Sequence, residues 1–422
     1  MTTALLLLFT LFLVLGVPIC LALILATAIS ILAFSDYSLV LIAQQLLTQS
    51  NSFPLMSIPL FVLAGAIMGR GGMSRRLIEL ATCLVGEIRG GMGIVAVLGC
   101  LFFACISGST AATTAAIGTV LLPAILTSGF TRNEATALLS TAGSIGIIIP
   151  PSVPLILMGV IGGVSIGKLF IGGIIPGICI GIALMAVVHL SARIKGHRPS
   201  GEGFSGQRLR KAIVSAVPPL FTLVIILAAI LLGIATATEA AILAVVWAFG
   251  ISAFVYRELS IQDMRRVLIE TVSITGVVVF CIGATAPFAW LLTVEEVPSR
   301  VAAIMLTLTT NPILLKLMLI ALLLAVGTIL DLTPAMIILV PILMPIGLDL
   351  GMDPVQFGIV TVMALGIGQS TPPVGIALFV ACGVTKARME AVVRPLVPYL
   401  FAMLLVLLLV AFWPTMTQAL LP

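Results

Sequence analysis

Long apolar stretches alternate with short polar ones along almost the whole chain. A hydrocarbon layer about 30 Å thick needs roughly 20 apolar residues per crossing helix. By that measure full spans are predicted at 4–34, 53–69, 133–163, 167–192, 212–234, 239–256, 268–292, 352–385 and 393–417. Two more apolar regions, 90–128 and 313–349, are interrupted near their middles by small, polar or Pro residues and read as re-entrant hairpins. The spans 133–163 and 352–385 carry Pro-Pro near mid-depth, where missing N–H groups break a helix. The segment 260–271 alternates apolar and charged residues at helical spacing, as an amphipathic brace on a membrane surface would, and 38–51 reads as its counterpart on the opposite surface.

Composition sharpens this to one solvent. Of 422 residues 61% are apolar and 8% charged, too few polar groups to keep a core of this size dissolved in water. The lipid bilayer is therefore the first partner. The predicted fold class is an all-α polytopic membrane protein. No basic face interleaved with aromatics exists, so no nucleic acid is expected. Cys20, Cys83, Cys100, Cys105, Cys179, Cys281 and Cys382 all sit in apolar context and read as small buried residues. With only His189 and His197 beside them, a zinc site is not expected. The run 4–34 is about twice a signal h-region and lacks a basic n-region, so it reads as a retained first span.

Charge then orients the chain. With the N-terminus in the cytoplasm, the first hairpin opening inward and the second outward, 17 of the 20 basic residues fall inside. Only Lys168, Arg300 and Lys316 lie outside, and the C-terminus emerges in the periplasm of a cell inner membrane.

The hydrophilic stretch 193–211 bisects the chain and invites a search for an internal repeat. A shift of 222 positions aligns Pro123 with Pro345, Gly129 with Gly351, Gly146 with Gly368, and Pro150-Pro151 with Pro372-Pro373. The matches fall on helix breakers, at corresponding places in two units of hairpin plus broken helix. The expected division is scaffold 1–89, unit 1 at 90–163, scaffold 164–312 containing the linker 193–211, unit 2 at 313–385, and a C-terminal scaffold helix in 386–422. Inverted repeats with facing broken helices belong to transporters.

The candidate chemistry sits at the interruptions. The first tip reads Ser107-Gly108-Ser109-Thr110, followed by more small and hydroxyl residues. These residues serve either close helix packing or an unwound tip whose oxygens hold a cation while the next helix start faces an anion. Its partner is the break containing Ser144, Gly146, Pro150, Pro151 and Ser152, where carbonyls before the prolines add oxygens suited to a small hard cation. The second tip carries Asp331, Thr333 and Pro334, and its partner break carries Gly366, Thr371, Pro372, Pro373 and Gly375. Asp331 lies between apolar runs, and an ionisable group at that depth is functional by default. It can also serve as an N-cap. Glu239 starts a span and ranks below it.

These motifs together resemble the large membrane subunit of tripartite ATP-independent periplasmic (TRAP) transporters over nearly the whole length. The resemblance rests on Ile58-Pro-Leu-Phe-Val-Leu-Ala-Gly65, Ser107-Gly-Ser-Thr-Ala-Ala112, Ile149-Pro-Pro-Ser152, Leu169-Phe-Ile-Gly-Gly-Ile-Ile-Pro-Gly177, Thr238-Glu-Ala-Ala241, Asp331-Leu-Thr-Pro334 and Thr371-Pro-Pro-Val-Gly375. Ala237 departs from it, standing where the family usually has proline. The resemblance implies an inverted-repeat, elevator-type importer driven by Na⁺ as coupling ion. Its partners would be a small four-helix membrane subunit and a periplasmic substrate-binding protein, and its cargo an organic acid such as a C4-dicarboxylate or sugar acid. It implies cations between each tip and its break: Ser107, Gly108 and Ser109 with Ser144, Gly146 and Ser152, and Asp331 and Thr333 with Gly366 and Thr371. Substrate would lie between the tips, against Ser109, Thr110, Pro150, Pro151, Thr333, Pro334, Pro372, Pro373 and Gly375. The rival readings are a stand-alone sodium/carboxylate carrier and, remotely, an intramembrane enzyme. The second would need a base near Ser107 or Ser109, and neither has a histidine or lysine in its segment.

Overall fold

The computed structural model describes residues 1–51, 53–197, 205–309 and 311–421, with backbone alone at 53, 105–107, 302, 304–306 and 308. Among these residues there is no strand. The first half comprises α1 (Thr2–Val14), α2 (Ile19–Phe34), α3 (Val40–Ser50), α4 (Ser57–Arg70), α5 (Met73–Val85), α6 (Gly91–Ser107), α7 (Thr110–Thr127), α8 (Arg132–Ile145), α9 (Val153–Gly162) and α10 (Ile166–Lys195). After the linker come α11 (Gly206–Leu231), α12 (Ala237–Gly250), α13 (Ile261–Val294), α14 (Val297–Leu308), α15 (Pro312–Ile329), α16 (Leu332–Asp349), α17 (Pro354–Gly368), α18 (Ile376–Thr385) and α19 (Met389–Phe412). Eight helices are long and apolar enough to cross a membrane, or up to ten if each bent pair counts as one span.

The repeat extends to element boundaries. A shift of 222 carries α7 onto α16 without remainder, and α9 onto α18 within one residue. Both Pro-Pro bonds are cis, Pro150-Pro151 and Pro372-Pro373. Contacts repeat as well: α9 packs on α16 and α17, and α18 packs on α7 and α8. Each unit thus uses on its twin the surface that the twin uses on it, as in a two-fold self-complementary interface.

Both hairpins form as expected, α6–α7 with its tip at Gly108-Ser109 and α15–α16 with its tip at Leu330-Asp331. Both broken helices form too, and the two arms of the first meet at 47°.

Several expectations are corrected. The run 4–34 is not one span: Gly16 takes a left-handed conformation (φ 77°), Pro18 follows, and α1 and α2 pack side by side. Apolar character continues through that turn, so hydropathy alone cannot see it. The amino group of Met1 lies 3.6 Å from Glu295 Oε2, beside the C-terminal end of α13. The other end of α13 follows Glu258, which pairs with Arg75 and Arg76. Because α13 has 34 residues and rises about 1.5 Å per residue, the N-terminus is at the end opposite those arginines, where a single first span would not have put it.

The amphipathic 260–271 stretch is not a separate brace. The Ser260/Asp263 capping box starts α13 there, and no breaker follows, so brace and span are one helix. Two helices were missed. The amphipathic α5 is too short and too charged to be predicted as a span, and α14 follows the turn at Glu296. Cys20 and Cys281 are not simple buried thiols; they form a disulfide joining α2 to α13. Residues 198–204 of the linker lie outside the described residues.

α10 and α19 pack on each other and on the broken helices. Gln356 of α17 donates through Nε2 to the Val410 and Ala411 carbonyls of α19 (2.9 and 3.0 Å). Lys195 of α10 pairs with Glu134 of α8.

Candidate functional site

Each unit closes a hairpin tip against a break, and glycines permit the approach. In unit 1, Gly108 ends α6 at φ 60°. A Cβ there would lie 2.6 Å from Val153 Cγ2, at the start of α9. Ser109 caps α7, its Oγ accepting from Ala112 N (3.3 Å). A Cβ on Gly146 would overlap Ala104 and lie 2.8 Å from the Cys100 carbonyl oxygen. A Cβ on Gly368, its repeat mate, would lie 2.6 Å from the Gly327 carbonyl carbon of α15. The same position in both repeats therefore carries the hairpin-to-break contact.

Gly143 extends this seam, since a Cβ there would overlap Thr114 Oγ1. Gly143→Ala is expected to cost about 1–3 kcal/mol by overpacking, seen as a lowered melting temperature of the detergent-purified protein. Thr114→Ala added to it should recover most of the loss. A single variant that melts like the wild type would contradict the packing.

The oxygens expected around the first break are largely engaged. Ser152 caps α9, accepting from Leu155 N, and its hydroxyl donates to the Ile147 carbonyl freed by the prolines. Ser144 donates to the Thr141 carbonyl (3.0 Å), and Ser370 Oγ of the second break lies 2.6 Å from Ser144 Oγ. Thr114 Oγ1 donates to the Thr110 carbonyl, leaving Thr110 itself buried. Pro150 and Pro151 are buried. The Ser107 side chain lies outside the described residues.

The second tip differs in chemistry. Asp331 stands at the N-cap of α16 without a capping hydrogen bond from its side chain. Its Oδ1 instead accepts from Gln369 Nε2 at 2.8 Å, across the tip-to-break contact. Gln369 is fully buried, and its Oε1 has no partner among the described residues. Gly375 (φ 49°) donates from its N–H to the Thr328 carbonyl (2.9 Å), pinning the break to α15. Thr371 donates to the Ile367 carbonyl (2.8 Å), and a Cβ on Gly366 would lie 3.1 Å from the Ser144 carbonyl oxygen. Thr333 is half-buried, Pro334 buried, Pro372 half-buried and Pro373 exposed.

The structure thus brings Ser144 and Gly366 together where the two breaks cross, and Gly108 against the first break. Asp331 meets a residue not singled out beforehand, Gln369. A detectable sign existed: at the 222-residue shift the first break reads Ile147-Ile-Ile149 where the second reads Gln369-Ser-Thr371. A carboxylate beside an unpaired buried amide oxygen offers hard oxygen donors of the kind alkali and alkaline-earth cations take. Asp331 has no ion-pair partner among the described residues. Glu239, ranked lower, is spent in a capping box with Thr236.

Comparison with known proteins agrees in architecture and sequence. A family profile described as tripartite ATP-independent periplasmic transporter, DctM component, matches residues 6–416. The isethionate TRAP transporter permease protein DctMQ of Oleidesulfovibrio alaskensis is 42% identical over 96% of this chain, which spans 64% of that relative's length. The C4-dicarboxylate TRAP transporter large permease protein of Pseudomonas aeruginosa is 38% identical, covering 94% of this chain and 92% of its own. The 2,3-diketo-L-gulonate TRAP transporter large permease protein of Escherichia coli is 37% identical over 94% of each chain. The crystal structure of the Alcanivorax borkumensis YdaH transporter superposes with a TM-score of 0.64 over 99% of this chain and 100% of its own, at 14% identity. That likeness concerns the fold alone.

Proposed function

We propose sodium-coupled import of an organic acid, on the premise that the chain belongs to the DctM component family of tripartite ATP-independent periplasmic transporters. It is a multi-pass membrane permease and not an enzyme, as its relatives are. The cargo class follows from those relatives, named for isethionate, a C4-dicarboxylate and 2,3-diketo-L-gulonate, all small acids. A small membrane subunit and a periplasmic binding protein complete the proposed assembly.

One observation carries the coupling: Asp331 faces Gln369, whose buried Oε1 has no partner. A Na⁺ held by both would satisfy the orphaned oxygen, neutralise the carboxylate and bond tip to break. Each Na⁺ descending 100 mV supplies about 2.3 kcal/mol, so two ions would drive accumulation of a monoanion against its own charge. The helix start at Ser109 supplies partial positive charge for the carboxylate of the cargo. In proteoliposomes holding the whole assembly, uptake should require an inward Na⁺ gradient. Equal uptake with K⁺ in its place and no proton gradient would overturn the coupling.

The proposed moving body is larger than the two units 90–163 and 313–385. It includes α10 and α19, which pack on the broken helices, while α1–α5 and α11–α14 form the frame. The arginine-rich end is proposed to face the cytoplasm, which puts Met1 in the periplasm beside Glu295. A membrane-impermeant thiol reagent outside intact cells should then label a cysteine at Glu296 and miss one at Arg257. The reverse pattern would invert the orientation.

A further inference from the structure

Away from the tips, a cleft of about 590 Å³ opens between α5, α7 and α11 at the arginine-rich end. Among the described residues four cations line it, Arg75 and Arg76 from α5 and Arg208 and Lys211 from α11, together with the carboxylate of Glu79. Arg75 and Arg76 also share Glu258, at 2.8 and 2.9 Å. Chiefly through its hydrogen bond to Arg76, that carboxylate is held below its usual pKa and stays ionised. Among the described residues these four cations face two acids, Glu79 and Glu258, and Lys211 has no ion-pair partner there.

The cleft is not polar throughout. Ile78 and Cys83 of α5, Val120 of α7 and Ala212 of α11 form apolar walls beside the charges. Val120 is 60% exposed there. α5 is itself amphipathic, burying Leu77, Leu80 and Ala81 while presenting its arginines, as helices at a membrane interface do. A small hydrated anion would gain nothing from the apolar walls. A molecule with an anionic head and a hydrocarbon chain matches both parts.

We propose that this cleft binds an anionic phospholipid of the adjoining leaflet, with its phosphate against Arg208 and Lys211 and an acyl chain along Ile78 and Val120. Basic pockets between membrane helices on the cytoplasmic side take such headgroups. The wall at Val120 belongs to the first hairpin and the other walls to α5 and α11, so the bound lipid fills a seam between the hairpin and the surrounding helices.

The full-length protein is purified in detergent, equilibrated with phosphatidylglycerol and phosphatidylcholine of matched chains, and its retained lipid counted by native mass spectrometry. The wild type should retain phosphatidylglycerol in preference. Removing two charges with Arg208→Gln and Lys211→Gln should weaken that retention about 30-fold, taking each basic residue's contribution near an anionic lipid surface. The charge-keeping pair Arg208→Lys and Lys211→Arg should hold it. Val120→Trp, which fills the cleft with every charge in place, should release the lipid as well. Undiminished retention in either the double-Gln protein or the Val120→Trp protein overturns the proposal. So does displacement of the lipid by millimolar inorganic phosphate, which would identify a site for free anions.

Discussion

If uptake is coupled to Na⁺ as proposed, replacing Asp331 with asparagine is expected to lower it by on the order of a hundredfold, while leaving the protein folded. Asparagine keeps the shape of the side chain and can still accept from Gln369 Nε2, now 2.8 Å from Asp331 Oδ1. What it loses is the negative charge. Asp331 is exposed in this structure, so the applicable scale is that of a contact to a charged group, about 1.5–3 kcal/mol, or one to two powers of ten in affinity. The loss should appear as a raised Na⁺ requirement in proteoliposome uptake, with the melting temperature close to that of the wild type. Gln369→Leu should do less harm to Na⁺ affinity, because it removes one neutral oxygen and leaves the carboxylate. Wild-type Na⁺ dependence in Asp331→Asn would remove Asp331 from any coupling site.

Much of this fold could be read from the sequence, because helix breakers are legible where apolar residues are not. Gly108, Gly146, Pro150-Pro151 and their mates at 222 residues' distance mark tips and breaks, and both hairpins and both broken helices form there. Apolar runs, by contrast, say only that a segment avoids water. They do not tell whether it faces lipid, a neighbour or its own hairpin partner. The turn inside 4–34 was marked by the breakers Gly16 and Pro18 but passed over because the apolar run continues through them, whereas the packing of α10 and α19 on the broken helices has no sign in the run at all. The candidate site was legible as a place more than as a set of atoms. Ser144 and Ser152 read as free oxygens, yet their hydroxyls are bonded within and between the breaks. Gln369 escaped because an amide beside a proline pair has no fixed role until its partner across space is known.

Locking the two units together is expected to leave transport largely intact, whereas locking either to the frame should stop it. A Cβ on Gly118 of α7 would lie 3.9 Å from Val384 Cβ of α18. That separation is inside the window of about 3.5–4.5 Å for a disulfide. Gly118→Cys with Val384→Cys, the other free cysteines replaced by alanine, should therefore oxidise readily and join unit 1 to unit 2. A Cβ on Gly69 of α4 would lie 3.9 Å from the Phe103 ring of α6. Gly69→Cys with Phe103→Cys, bridged by a short bis-methanethiosulfonate that forms a reducible disulfide with each thiol, joins the frame to the first hairpin. The physical reason for the contrast lies in the breaks. Backbone at Pro150-Pro151 and Pro372-Pro373 lacks donors, and exposing an unpaired polar group to hydrocarbon costs several kcal/mol. Seams between tip and break are glycine-tight, and the two breaks cross through Ser144 and Ser370. Opening those seams in turn would unmake these contacts, while sliding the whole body past α4 and α13 keeps them. Uptake should thus fall to background with the Gly69–Phe103 bridge and return on reduction. It should stay above about half of the unbridged rate, a cost well under 1 kcal/mol, with the Gly118–Val384 bridge. If the second bridge stops uptake as completely as the first, the units do not move as one body and local opening of the tips is the better account.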